Sequence, residues 1–182
     1  MAWTPQELFE KQRDELTNFH TTIDGDHAYI HRGRKFNATI EQDIAKNSTY
    51  KISFVSPTTI SGLHANWRPA LFFSSLSLLY VRVYENIAST GGSAVTPINM
   101  NRTSDKVAIA VVKKGITADV SSATPIKAYM VGSGGGPNAR SGGASGAEEE
   151  IILKAQTEYI IEIVEPDTAA TKLMLQLRWY EE

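Results

Sequence analysis

Two stretches of the chain, one towards each end, share a pattern that decides the fold. Residues 49–57 read TYKISFVSP and residues 158–166 read EYIIEIVEP. In both, a tyrosine begins a run with apolar side chains at every second position, and the run closes on Val, a polar residue and Pro. Such alternation predicts a half-buried strand, and the proline tends to end it. We interpret the two stretches as inner strands of one antiparallel sandwich.

Further short strands are predicted on both sides of these stretches. They cover residues 27–31, 36–42, 71–85, 105–114, 125–131, 148–153 and 172–180. Residues 58–70 are predicted to be an irregular crossing, and residues 86–105 to be a loop because they are rich in Gly, Pro, Asn and Ser. The number and spacing of the strands indicate an all-β fold. A jelly-roll-like antiparallel β-sandwich fits best, because its first and last strands pair in one sheet, and an immunoglobulin-like sandwich is the alternative.

The chain is expected to divide into an N-terminal helical arm, residues 1–20, and a single β-sandwich domain, residues 21–182. Thr4-Pro5-Gln6-Glu7 is a capping box with proline at the first helical position, so it predicts a helix start. One side of that helix is apolar: Leu8, Phe9, Leu16 and Phe19. Two interpretations stay open, since the helix either packs on its own sandwich or docks onto a neighbouring subunit.

Composition excludes several classes of function. The formal net charge is −2, which gives no electrostatic reason for nucleic acid as a direct partner. The chain has no cysteine, which excludes disulfides, thiolate metal ligands and a thiol nucleophile. The most apolar stretch, residues 71–84, is shorter than the roughly 20 residues of a membrane-spanning helix. We therefore expect synthesis in a host cytoplasm without a signal segment, and no membrane partner.

No motif in the chain predicts catalysis. The Gly-rich stretch 132–146 lacks the spacing of a phosphate-binding loop, so it is predicted to be a flexible loop within the β-domain. The four histidines are interpreted as surface residues rather than as metal ligands. Glu85, Glu162 and Glu165 are expected to point outward from strands as a solvated face. We predict that the protein is not an enzyme and holds no metal and no cofactor.

Three neighbouring segments resemble small structural proteins of tailed bacteriophages. They are Val83–Ile87 (VYENI), Thr90–Gly92 (TGG) and Thr96–Arg102 (TPINMNR), and the closing Leu177–Glu181 (LRWYE) fits the same proteins. Members of this group include capsid decoration, or cement, proteins with a β-sandwich or jelly-roll domain, which are often trimeric. The resemblance covers residues 40–182 and leaves out the N-terminal helix.

The resemblance implies a non-enzymatic virion protein on the capsid surface. Its expected partners are the major capsid protein and further copies of itself, most simply as a homotrimer, and its expected effect is to stabilise the assembled capsid. The candidate contact residues are Trp3, Leu8 and Phe9 in the arm and Asn99, Asn101 and Arg102 in a polar loop. A head–tail neck or tail component and a carbohydrate-binding jelly-roll module stay open as alternatives, with a metal-dependent cupin enzyme as a distant one.

Overall fold

The computed structural model of the chain describes residues 25–58, 63–66, 79–131, 151–166 and 171–181. In these residues one helix precedes eleven strands. The helix is α1 (Gly25–His31), and the strands of the first half are β1 (Lys35–Ile44), β2 (Ser48–Val55), β3 (Leu63–Asn66), β4 (Leu79–Glu85), β5 (Thr90–Val95) and β6 (Ile98–Asn99). The remaining strands are β7 (Val111–Thr117), β8 (Lys127–Val131), β9 (Ile151–Leu153), β10 (Glu158–Glu165) and β11 (Thr171–Glu181). No helix among the described residues is long and apolar enough to cross a bilayer.

The strands form two antiparallel sheets, as the sequence pattern predicts. One sheet has the order β6-β1-β11-β3-β9, and the other has the order β5-β7-β2-β10-β4-β8. The pairing is nested, because β1 pairs with β11, β2 with β10, β3 with β9 and β4 with β8. The first and last described strands thus pair along ten residues, from Lys35 with Tyr180 to Ile44 with Thr171.

The core lies between the two sheets and is built by the predicted alternation. In β11 the side chains of Leu173, Leu175, Leu177 and Trp179 are all buried. Trp179 lies at the centre of an aromatic cluster, with its ring edge-on to Phe54 (centroids 5.2 Å apart) and tilted against Phe36 (6.0 Å). Burial of these apolar side chains is the main favourable contribution to folding.

A second, smaller core lies on the outer face of the six-stranded sheet. Ile160 of β10 and Tyr84 of β4 point away from the main core and are nevertheless buried. They are covered by the end of β7 and the segment that follows it, through Ile116, Ala118 and Val120. The six-stranded sheet is therefore buried on both faces in this region.

The first described element corrects the sequence prediction. Residues 27–31 were expected to form a strand, but they belong to α1, which packs Tyr29 against Tyr180 of β11 with ring centroids 4.1 Å apart. The helix ends in a Schellman motif, in which the N–H groups of Gly33 and Arg34 donate to the carbonyls of Ile30 and Tyr29. Gly33 has a φ of 64°, which favours glycine at this position.

Three other element predictions are wrong in part. The predicted loop 86–105 contains β5 and β6, and the predicted crossing 58–70 contains β3. The strand predicted for residues 105–114 begins only at Val111 and continues to Thr117. The predicted helical arm 1–20 and the Gly-rich loop 132–146 lie outside the described residues.

Candidate functional site

Asn99, one of the predicted contact residues, is a buried organiser of its loop. Its side-chain amide donates to the carbonyls of Gly33 (3.0 Å) and Lys106 (2.9 Å). Its side-chain oxygen accepts from the N–H of Asn101 at 2.9 Å. All these bonds are internal, so the side chain of Asn99 ties the end of α1 to the two ends of the loop 100–106.

Asn101 plays a similar part on the exposed side of the same loop. It donates to the carbonyl of His31 (3.0 Å), and it accepts from the N–H and the hydroxyl of Thr103 (3.1 and 2.8 Å). Arg102 is exposed between them. Contact of these residues with a partner stays a prediction, and the other predicted contacts, Trp3, Leu8 and Phe9, lie outside the described residues.

The segment after this loop exposes large apolar side chains and buries small ones. Val107 (81% exposed), Ile109 (56%) and Val111 (45%) point outward at every second position, and we call these three residues the apolar stripe. The alternating residues Ala108 and Ala110 face the core. Exposed contiguous apolar surface of this kind typically marks an interaction site.

A buried carboxylate fixes the apolar stripe to the sandwich. Glu181, at the end of β11, is only 6% exposed. It accepts from the backbone N–H groups of Ile109 (3.0 Å) and Ala110 (3.0 Å) and from the indole N–H of Trp179 (3.0 Å). Three donors on one carboxylate hold the backbone of residues 109–110 against the last strand.

An open edge of the sandwich adjoins this region. Among the described strands β5 pairs only with β7, and five of its six residues are exposed. β1 pairs with β6 and also contacts β5, so β5 and β6 lie on the same side of the molecule. Ile98 and Met100 are exposed beside them. We call β5 with Ile98 and Met100 the edge surface.

The close approach of β5 to β7 requires glycine. Gly92 has a φ of 82°, and a Cβ at this position would lie 2.5 Å from the Cγ2 of Ile116 and 2.9 Å from the carbonyl oxygen of Lys114. The conformation and the contact both exclude a larger side chain. The glycine at position 92 is therefore required by the packing of β5 on β7.

Glu162 corrects the expectation of a solvated carboxylate face. It lies on the outer face of the six-stranded sheet but is only 6% exposed. Its carboxylate pairs with Lys51 (3.4 Å) and Arg82 (3.5 Å) and accepts from the hydroxyl of Tyr84 (3.2 Å). Glu165, also expected to be exposed, is fully buried and accepts from the N–H of Asn47 at 3.0 Å. Both carboxylates have structural roles.

A polar groove of about 510 Å³ lies beside Glu162. It is lined by the cations Lys51 and Arg82, and by Asp119 and Ser121 from the segment after β7. Burial raises the pKa of Tyr84, and the charge of Glu162 raises it further, so its hydroxyl stays a donor at neutral pH. The carboxylate of Glu162 beside the groove is paired with both of these cations.

A second carboxylate on this face predicts a dependence of stability on pH. Burial raises the pKa of Glu158, but hydrogen bonds from Ser53 and Ser89 outweigh burial and hold it below the ordinary 4.5. A carboxyl whose pKa is lower in the folded than in the unfolded protein stabilises the fold at pH values above its unfolded-state pKa. This stabilisation is lost as the pH falls through the folded-state pKa. We expect wild type to have a higher Tm than Glu158→Gln at pH 6, with a difference that shrinks towards pH 3.

The comparison of the two proteins cancels the titration of all other carboxylates. Thermal unfolding followed by circular dichroism at half-unit pH intervals measures the difference directly. A difference that stays constant from pH 6 to pH 3 contradicts the assignment.

Possible metal ligands do not converge in the part of the chain that the structure describes. No group of three or more His, Asp or Glu residues there is arranged to hold an ion. The side chains of His27 and His64 lie outside what is described. We therefore find no metal centre to assign within the described ranges.

Two of the three neighbouring segments of the phage resemblance lie at one edge of the sandwich. Val83–Ile87 spans the end of β4 and the bend after it, Thr90–Gly92 begins β5, and Thr96–Arg102 contains β6. Two of the three segments therefore form the edge surface and its adjoining loop. Comparison of the chain with protein-family models, curated proteins and solved structures finds no match.

Proposed function

We propose that this chain is a non-enzymatic virion protein that binds the exterior of an assembled tailed-bacteriophage capsid and stabilises it. The observation that carries the proposal is the edge surface, where Thr90–Gly92, Ile98 and Met100 of the phage-like segments are exposed beside an edge of β5 that no described strand pairs with. An open edge and exposed apolar side chains are features that protein partners use. Ligands that bind only the assembled lattice stabilise it by mass action.

We infer in addition that the sandwich is a jelly roll. In an immunoglobulin-like sandwich the first two strands lie in the same sheet, whereas β1 and β2 here lie in different sheets. The nested pairs β1–β11, β2–β10, β3–β9 and β4–β8 support the jelly roll, because that fold is in effect one long hairpin rolled into two sheets. Jelly rolls are common among viral capsid proteins and among lectins.

The test is binding to capsids assembled from the major capsid protein of the genome that encodes this chain. Purified protein is mixed with these capsids and sedimented, and the bound fraction gives Kd. We expect Ile98→Glu combined with Met100→Glu to weaken binding about 30-fold or more, because a central contact contributes about 2 kcal/mol and a buried unpaired charge adds to the loss.

Ile152→Glu is the matched control. Ile152 is 66% exposed on β9, at the opposite edge of the five-stranded sheet. We expect Ile152→Glu to bind capsids as wild type does. Both proteins should also raise, by the same amount, the temperature at which capsids release their contents. Equal loss of binding in both variants contradicts the edge surface. Failure of wild type to bind capsids, or its recovery only in neck or tail fractions of virions, contradicts the decoration role.

A further inference from the structure

The apolar stripe is an unusual surface for a protein to leave in water. Its three β-branched side chains face solvent while the alanines between them face the core. Glu181 holds this backbone in place through two N–H groups, so the outward direction of Ile109 follows from the fold. We propose that the apolar stripe is the docking site of the chain's own N-terminal segment, residues 1–24.

The contacts of α1 place its C-terminal end close to the stripe. Tyr29 stacks on Tyr180, and the next residue, Glu181, binds the backbone of Ile109 and Ala110. On the other side of α1, Asn101 and Lys106 donate to the carbonyls of its last residues and the turn after it. The N-terminal segment joins the described fold at Gly25, at the other end of this seven-residue helix and so about 9 Å along its axis from these contacts.

The dimensions of the two partners agree. The apolar side chains of the segment, from Leu8 to Phe19, span about 17 Å if the predicted helix forms. The stripe runs for roughly 13 Å from Val107 to Val111 in extended backbone. Five residues connect Phe19 to Gly25, and they reach at most about 17 Å. This connector is long enough to let the helix lie on the stripe of its own chain.

The charges of the two partners are opposite. Residues 1–24 carry five carboxylates and two cationic side chains. Residues 98–114 carry four cationic side chains and one carboxylate, Asp105. The cations are Arg102, Lys106, Lys113 and Lys114, and the first three are exposed. Docking would therefore place the apolar side of the predicted helix on an apolar stripe, and a segment of net negative charge next to basic residues.

A short connector also favours docking within one chain over docking between chains. Attachment converts the contact into an intramolecular one with an effective concentration of about a millimolar or more. A separate copy or another protein at micromolar concentration is therefore at a disadvantage of about a thousandfold. This inference concerns the isolated protein and does not rest on the capsid role.

Cysteine crosslinking tests the proposal, because the chain has no cysteine of its own. Gln12→Cys places a thiol among the apolar residues of the segment without removing any of them. It is combined with Val107→Cys in the stripe or, as the matched control, with Met130→Cys. Met130 is 62% exposed on β8, which forms the edge of the six-stranded sheet opposite β5 and β7. A short bismaleimide is added to the full-length protein at micromolar concentration, and the products are identified by mass spectrometry.

We expect a crosslink within one chain that forms at least about tenfold faster for the 12/107 pair than for the 12/130 pair. Adding Ile109→Glu to the 12/107 pair should slow the crosslinking by a similar factor. The added carboxylate repels the negatively charged N-terminal segment and interrupts the apolar surface that its apolar side chains would contact. Circular dichroism and Tm verify that each variant is folded. Crosslinks between chains overturn the proposal in favour of a second copy. Equal rates for the two pairs overturn it in favour of a stripe left for another partner.

Discussion

Replacing Glu181 with alanine is expected to lower the free energy of unfolding by about 3–5 kcal/mol. The substitution leaves the N–H groups of Ile109, Ala110 and Trp179 without their acceptor. A buried donor that loses its partner costs about 1–3 kcal/mol, and more when the lost acceptor was charged. The loss also frees the backbone beneath the apolar stripe.

Urea unfolding followed by tryptophan fluorescence measures this effect. Glu181→Gln keeps one acceptor oxygen at the site, so we expect roughly half the loss. Glu85→Ala is the matched control, since Glu85 forms an ion pair with the exposed Lys154 at 2.6 Å, and such a pair contributes at most about 1 kcal/mol. A Glu181→Ala variant that loses no more than Glu85→Ala would contradict the structural role of Glu181.

Replacing Trp179 with alanine is expected to lower the free energy of unfolding by at least 3–5 kcal/mol, about the usual cost of truncating a buried aromatic side chain. The ring is fully buried between Phe36 and Phe54, and its removal leaves a cavity between the two sheets. It also removes one of the donors to Glu181. Unfolding in urea, with Tm as a second measure, gives the size of the loss.

Two further variants separate the contributions of Trp179. Trp179→Phe fills most of the cavity but removes the indole N–H, so we expect a loss of about 1–2 kcal/mol. Combined with Glu181→Ala it should cost less than the sum of the two single changes, because both variants remove the hydrogen bond between the indole and the carboxylate. Strict additivity would show that the indole and the carboxylate do not interact.

Sequence patterns predicted the strands that alternate and are buried on their apolar face. In β2, β10 and β11 apolar side chains recur at every second position, and all three strands lie in the middle of a sheet. A pattern of this length leaves few other structures that bury its apolar side chains. The two-sheet architecture therefore follows from local sequence.

The elements that were missed depend on neighbours instead of on their own side chains. β5 has Gly91, Gly92 and Ser93 at its centre and no apolar alternation, and it is a strand because it pairs with β7. α1 contains Tyr29 and Ile30, which favour strands, but the stacking of Tyr29 on Tyr180 and the Schellman motif at Gly33 favour a helix. Neither interaction is visible from the seven residues of α1 alone.

The surroundings of the candidate-site residues also depend on distant parts of the chain, so they could not be predicted from the local sequence. Alternation along β10 assigns Glu162 to the outer face correctly, but nothing in that strand indicates that the segment after β7 covers it. Alternation from Val107 to Val111 predicts that one face is buried, and the fold buries the alanines because Glu181 fixes the backbone in that orientation. The direction of burial comes from contacts more than seventy residues away in the sequence.

The nested pairing of the strands has a consequence for how the chain folds during synthesis. β1 pairs with β11 and β2 with β10, so residues made early have partners that are more than a hundred positions away. Pairing between distant residues is slow, since the entropy of closing long loops opposes it. On the ribosome, β6 and β7 can pair with one edge of β1 and of β2, but the other edge of each strand stays unpaired until β10 and β11 are translated. A chain that ends prematurely, before residue 158, lacks the central partner of each sheet and exposes the strands that aggregate most readily.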